Sequence, residues 1–236
     1  MARTRDFGLD VERVAPAEAP WKAVQRRVSG RYPVDPFGLD PQLCDLVAPF
    51  FRRVVPVEIE HGERIPATGA AVIVANRGLG FGEPTALSIA VREAVGRRLR
   101  IVGAPNVAFA NGVLRRLGAI AATAEDVSSA LHGGHLVAAP LSPTWLRTGA
   151  GTPPLELVQV MMSFPVVPVA VRAAGPLGTP IAWNVNVGAP LRVDRTYSLG
   201  DPLGAAELGE TVRSAVSRLL GGDDVTDTDV ADAAAW

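Results

Sequence analysis

Short, nearly unbroken apolar runs alternate along this chain with longer stretches in which apolar residues return every three or four positions. The runs predict strands at 54–60 (VVPVEIE), 70–76 (AAVIVAN), 99–104 (LRIVGA), 118–123 (GAIAAT), 136–141 (LVAAPL), 164–172 (FPVVPVAVR) and 181–187 (IAWNVNV). The longer stretches predict helices at 84–96, 106–117, 124–133, 153–163 and 205–220. The 124–133 helix has Thr123 and Asp126 as a capping box and Gly133-Gly134 as its stop. The 205–220 helix carries Leu208, Val212, Val216 and Leu219 on one face. An earlier helix is signalled by LDPQLCDLVAPFFRRV. There Asp40 is a good N-cap, Pro41 suits the first helical position, and Leu43, Leu46, Val47 and Phe50 recur at helical spacing. Pro49 is expected to kink or shorten that helix. Cys44 flanks the stripe as a small hydrophobe.

Strands without polar alternation suit a sheet covered on both faces. Their alternation with helices predicts an α/β fold: a mixed, mostly parallel sheet flanked by helices. That domain is expected to span 36–220. Residues 1–35 read as a tail plus a docking helix, with Trp21, Val24 and Val28 as its apolar stripe. Residues 221–236, acidic and poor in large apolar groups, read as a disordered tail.

Composition narrows the function classes. With 236 residues and a net charge of -1, the chain has one sizeable core and no basic excess that asks for nucleic acid. Lys22 is the only lysine, so the positive charge is nearly all arginine. The lone Cys44 excludes an internal disulfide and argues against a thiolate metal site; a reducing cytoplasm fits. No apolar stretch reaches the roughly 18 residues of a spanning helix, which predicts a soluble or peripheral protein. The pairs Arg26-Arg27, Arg52-Arg53, Arg97-Arg98 and Arg115-Arg116 either touch anionic lipid headgroups or are solvated helix faces.

The segment VIVANRGLGFGEP, strand into glycine-rich turn into helix, is the strongest candidate for chemistry. As a dinucleotide fingerprint it fails at its sixth position, where Glu83 would set a carboxylate against phosphate. P-loop and nucleophile-elbow signatures are absent. His132 and His135 are separated by the double glycine that ends a helix and lack a third ligand at fitting spacing, so no metal is expected.

The order of segments resembles the glycerol-phosphate and lysophospholipid acyltransferase family. His61-Gly62-Glu63-Arg64-Ile65-Pro66 and Gly69 match its G-x-E-x-(I/L)-P-x-x-G loop, and Val74-Ala75-Asn76 matches the strand end that precedes its histidine. GVLRRLGAIAAT resembles its second block, LHGGHLVAAPLSPTWLRTG stands where its third block falls, and VVPVAV matches its fourth. The resemblance covers residues 36 to 193 and implies the family's α/β fold. It also implies an H-x4-D site in which histidine is the general base on a lysolipid or glycerol-phosphate hydroxyl and aspartate orients the imidazole.

The chain departs from that pattern where the chemistry lies. Arg77 stands at the histidine position and Gly82 at the aspartate position, and arginine cannot act as a base. The phosphate-seating F-P-E-G becomes Ala139-Pro140-Leu141-Ser142, with Arg147 downstream as a remnant of phosphate binding. No confident catalytic residue remains. Glu83, one residue past the family spacing, either replaces the lost acid or simply suits a helix start. Arg77 either holds an anion or pairs with Glu83. The candidate ligand-binding residues are Arg77, Glu83, Ser142 and Arg147.

Three readings follow. The leading one is a pseudoenzyme that binds a lipid, an acyl group or an acyl carrier, or regulates a protein partner, in the cytoplasm with peripheral membrane contact. The second is an active acyltransferase of lipid metabolism with a non-standard mechanism. It would use acyl-CoA or acyl carrier protein as donor and no resident cofactor. The third is a structural interaction module.

Overall fold

The computed structural model describes residues 34–76, 82–103, 108–141, 155–174, 182–191 and 201–221. At its centre is the run that showed no polar alternation. Strand β2, Ala71–Ala75, is buried at every position because helices cover both faces of the sheet. Ala71, Ile73 and Ala75 point into one core layer, and Val72 and Val74 into the other.

The elements follow in the predicted alternation. Helix α1 (Pro41–Val54) leads into β1 (Val57–Glu60), a single tight turn at Gly62–Arg64, and β2. Then come α2 (Gly82–Val95), β3 (Leu99–Val102), α3 (Ala108–Arg116), β4 (Ala119–Ile120), α4 (Ala124–His132) and β5 (Leu136–Pro140). Helix α5 (Leu155–Met161), β6 (Val166–Ala174), β7 (Ala182–Val187) and α6 (Pro202–Gly221) complete the described chain. The sheet has seven strands in the order β1-β7-β6-β2-β5-β3-β4. Every pairing is parallel except β6 with β7. The architecture is thus the mixed, mostly parallel α/β sheet that the sequence predicts.

Two core layers hold it. On one face α4, α5 and α6 supply Val127, Leu131, Val158, Met161, Val212 and Val216 against Val72, Val74 and Val137. On the other, α2 lays Ala86, Leu87, Ala90 and Val91 on Ile73, Val169, Val185 and Val187. Each fully buried valine, leucine or isoleucine contributes about 1.5–3 kcal/mol before cavity terms. The loop after β1 ties the second layer down. Arg64 Nη1 donates to the Val187 carbonyl at 3.0 Å, and a Cβ on Gly62 would stand 2.9 Å from that of Ala94.

The caps behave as read. Asp40 Oδ1 accepts from the Leu43 N–H at 2.9 Å, and Thr123 Oγ1 accepts from the Asp126 N–H at 3.2 Å. Two expectations are corrected, and one is narrowed. Of the kink or shortening expected at Pro49, helix α1 is not shortened but runs on to Val54. The strand expected at 118–123 contracts to Ala119–Ile120, paired only with β3. The last helix starts at Pro202, three residues earlier than its stripe suggests, because the Asp201 carboxylate accepts from the Leu203 N–H at 2.9 Å and proline fits the first position. The expected docking helix near Trp21 and the acidic tail lie outside the described residues.

The segment before α1 acts as an anchor. Asp35 accepts from the N–H groups of Phe37 and Leu39, each at 2.9 Å, and pairs with Arg100. Arg100 is 1% exposed in the middle of β3 and lies 5.8 Å from the Phe37 ring.

Candidate functional site

Open α/β sheets place ligands beyond the carboxyl ends of their parallel strands. Here those ends belong to β2, β5 and β6, and the first residue past β2 is Asn76. Its side-chain amide donates to the Val171 carbonyl at 2.9 Å, and its side-chain oxygen accepts from the Val171 N–H at 2.7 Å. Asn76 therefore prolongs the β2–β6 ladder by a pair of hydrogen bonds after the backbone has left the sheet. The asparagine of the Ala-Asn motif serves geometry at this position.

Helix α2 begins at Gly82 and carries Glu83 in its first turn. Among the described residues, one Glu83 carboxylate oxygen, Oε2, is buried with no hydrogen-bond partner. Glu83 lines a cavity of about 30 Å³ together with Asn76, Pro84, Ile101, Pro140 and Val171. That is room for about one water molecule. Leu141, next to it, is fully buried in the core, and its N–H donates to the Ala75 carbonyl at 3.1 Å. Gly82 adds no side chain, and the space beside it is taken. A Cβ built there would stand 2.5 Å from Cζ2 and 2.7 Å from Cη2 of Trp183.

Of the sequence candidates, the structure thus brings Gly82 and Glu83 to the strand ends. Arg77, Ser142 and Arg147 lie outside the described residues. His132 is exposed, its Nδ1 2.8 Å from the Ser128 carbonyl, and His135 stacks edge-on against Phe37. Among the described residues no group of histidine, cysteine or acidic side chains is placed to hold a metal ion.

A second feature went unread in the sequence. Between α1, α2 and α3 runs a groove of about 820 Å³, within the range of small-molecule sites. Its walls are apolar, from Val47, Phe51, Ile89, Leu99, Leu114 and Leu117. Its polar edge is a cluster in which Asp45 accepts from Arg92 at 2.7 Å and from Arg98 at 3.3 Å, with Arg52 on Glu93 at 2.8 Å. Pro84 and Ile101 line both spaces, so the groove's inner end adjoins the cavity at Glu83. Cys44 also lines the groove. Burial pushes its thiol from an ordinary 9.0 up to about 11, against the lowering pull of Arg98. It is a poor nucleophile at neutral pH.

The groove exists because α1 buries nothing fully. Not one of its residues is a core residue, and Phe50, which completes the apolar stripe in sequence, is 65% exposed. The sequence signal was the strength of that stripe; what it lacked was any indication of the distance at which α1 stands from the sheet.

No protein-family model matches the sequence, and no curated protein does. Among solved structures, the chain is similar to the 1-acyl-sn-glycerophosphate acyltransferase PlsC from Thermotoga maritima. The likeness covers 76% of this chain and 80% of that chain, with 16% identity and a TM-score of 0.53. At that identity the likeness establishes the fold: a PlsC-like acyltransferase fold, a mostly parallel seven-stranded sheet flanked by helices.

Proposed function

We propose that this chain is an acyltransferase-fold protein that binds a lipid or acyl chain without running acyl transfer by a histidine–aspartate mechanism. The observation that carries this reading is the start of α2. The position expected to hold the orienting acid is Gly82, and an indole fills the space beside it. With arginine at position 77, neither half of an acid–base pair stands in its usual place. The groove under α1 supports the binding half. It is long, apolar and edged by Arg52, Arg92 and Arg98 against Asp45 and Glu93, an excess of positive charge suited to an amphiphile with an anionic head.

The expected site of action is the cytoplasmic face of a membrane, by peripheral contact. No helix among the described residues is long and apolar enough to cross a bilayer. The contact surface in this reading is the outer face of α1, where Phe50 and Val54 are exposed beside Arg53.

Purified protein should transfer no acyl group from acyl-CoA to lysophosphatidate. Native mass spectrometry with lipid extraction should show an acyl-bearing ligand bound. Turnover by the wild type refutes the catalytic half of the reading, and an empty groove after incubation with palmitate or lysophosphatidate refutes the binding half.

The unpartnered oxygen of Glu83 favours one second reading, an acyltransferase in which Glu83 accepts the acceptor's proton. It requires wild-type turnover that Glu83→Gln abolishes while substrate binding remains.

A further inference from the structure

With the half-buried indole of Trp183 where it stands, only glycine fits at the start of α2. Carbon atoms of packed groups sit about 3.5–4.0 Å apart, whereas a Cβ at position 82 would meet the Trp183 ring at 2.5 and 2.7 Å. The pleat aims that ring. Trp183, Val185 and Val187 share one face of β7, and the two valines are fully buried in the layer that α2 covers. The strand itself is held on both sides. Trp183 is in register with Val57 of β1 and Ala173 of β6, and its N–H donates to the Pro56 carbonyl at 2.8 Å. The helix is held as well, since Ala86, Ala90 and Val91 are fully buried one and two turns further on. A side chain at 82 therefore requires the indole to rotate out of its packing or the first turn of α2 to lift off the sheet.

We propose that Trp183 is the residue that keeps position 82 free of any side chain. The indole has taken the volume that an acid at the start of α2 would need. No substitution at 82 alone gives the cleft that acid, and the pair Gly82–Trp183 changes together or not at all. This rests on reading the cleft as lacking an acid–base pair; it adds that the lack is steric and is enforced from β7.

A double-mutant cycle tests it through thermal unfolding, a readout that needs no activity. Gly82→Ala should lower Tm by roughly 3–10 °C, although alanine is the better helix former. In a Trp183→Phe background, whose shorter side chain withdraws from position 82, the same change should leave Tm unchanged or raise it. Gly82→Asp should follow the same pattern, poorly tolerated beside tryptophan and rescued beside phenylalanine. Trp183→Leu closes the cycle if the phenylalanine variant does not fold. An equal loss of Tm in both backgrounds overturns the proposal. So does a Gly82→Ala protein as stable as the wild type, with no change at 183 needed. Acyl transfer by the wild type would overturn the functional reading above and leave this cycle standing.

Discussion

The strand ends around Asn76 and the groove under α1 adjoin each other, sharing Pro84 and Ile101, yet they are built by opposite rules. At the strand ends the described groups are closely engaged. Asn76 is tied twice to Val171, the β5 end is locked by Leu141, and an indole crowds the glycine at 82, leaving about 30 Å³. Under α1 the walls are apolar side chains that stand apart and leave about 820 Å³. The comparison shows that the two kinds of site make different demands on a fold. Acid–base catalysis needs a few groups at set positions within reach of one another, and filling one position removes it. Holding an acyl chain needs only apolar volume and a suitable charge at its edge, which survives such a change.

The largest effect should come from breaking the closed region. Asn76→Ala removes both bonds to Val171 and leaves a partly buried N–H and carbonyl unpaired, at a cost of about 2–4 kcal/mol. Urea denaturation should show a lower midpoint at unchanged slope. Ligand retention in the groove should not change. If it falls with stability, the two regions are one site, and the contrast drawn between them fails.

Next comes the charge cluster at the groove's edge. Asp45→Asn leaves Arg92 and Arg98 side by side without their shared carboxylate. Stability should fall by about 1–3 kcal/mol, while affinity for an anionic amphiphile such as palmitate should rise about tenfold. Opposite signs in calorimetric binding and thermal unfolding are the diagnostic. Loss of both would make the cluster a structural brace and nothing more.

A third change reads the groove through its thiol. Because burial raises the Cys44 pKa in the folded chain above its ordinary 9.0, the folded state holds the proton more tightly than the unfolded one. The stability this contributes is complete below about pH 9 and is lost as pH rises through about 11. Relative to Cys44→Ala, the wild type should therefore lose on the order of 1 kcal/mol across that window. Iodoacetamide should label folded Cys44 far more slowly than the unfolded chain at pH 8, and a bound acyl chain should slow it further. Equal rates would mean that the thiol is not enclosed by the groove.

How much of this was legible in the sequence depended on the range of the forces involved. The runs at 70–76 and 136–141 announced strands covered on both faces, and Asp40 and Thr123 announced their helix starts, because burial pattern and capping act within a few residues. That Gly82 stands at the position expected for the acid follows from the order of motifs along the chain. That Trp183 occupies the space beside it does not. The two residues are brought together only by the β7 register and the seat of α2, and nothing local marks IAWNVNV as facing that turn. The groove was hidden for a related reason. A stripe such as Leu43, Leu46, Val47 and Phe50 says that a helix has an apolar side but not how far that side stands from its neighbour. Asn76 belongs to the Ala-Asn motif, yet its bonds to Val171 span a sequence separation that no local pattern reports.

The smallest expected change in stability carries the sharpest test of how the groove is filled. Phe50 is 65% exposed and Val54 is 52% exposed, one helical turn apart on the outer face of α1, with Arg53 beside them. The same two turns contribute Pro49, Phe51 and Arg52 to the groove. Replacing both residues by serine, Phe50→Ser with Val54→Ser, should change unfolding free energy by no more than about 1 kcal/mol, since both are mostly exposed and Phe50 meets the neighbouring Phe51 ring edge-on at 5.8 Å. If α1 rests on an anionic bilayer while an acyl chain enters beside it, the same double variant should lose about tenfold in binding to phosphatidylglycerol-containing vesicles. Arg53→Glu should weaken that binding in a salt-dependent way. Vesicle flotation with phosphatidylcholine alone as the comparison reads both. Full binding by the serine variant would place the contact elsewhere on the molecule. Concentration-dependent self-association that the serine variant abolishes would identify a second copy of the chain, not a membrane, as what covers α1. A variant that keeps its stability and loses the vesicle would separate the two regions of this fold once more: one holds the sheet together, and the other is left open for a ligand.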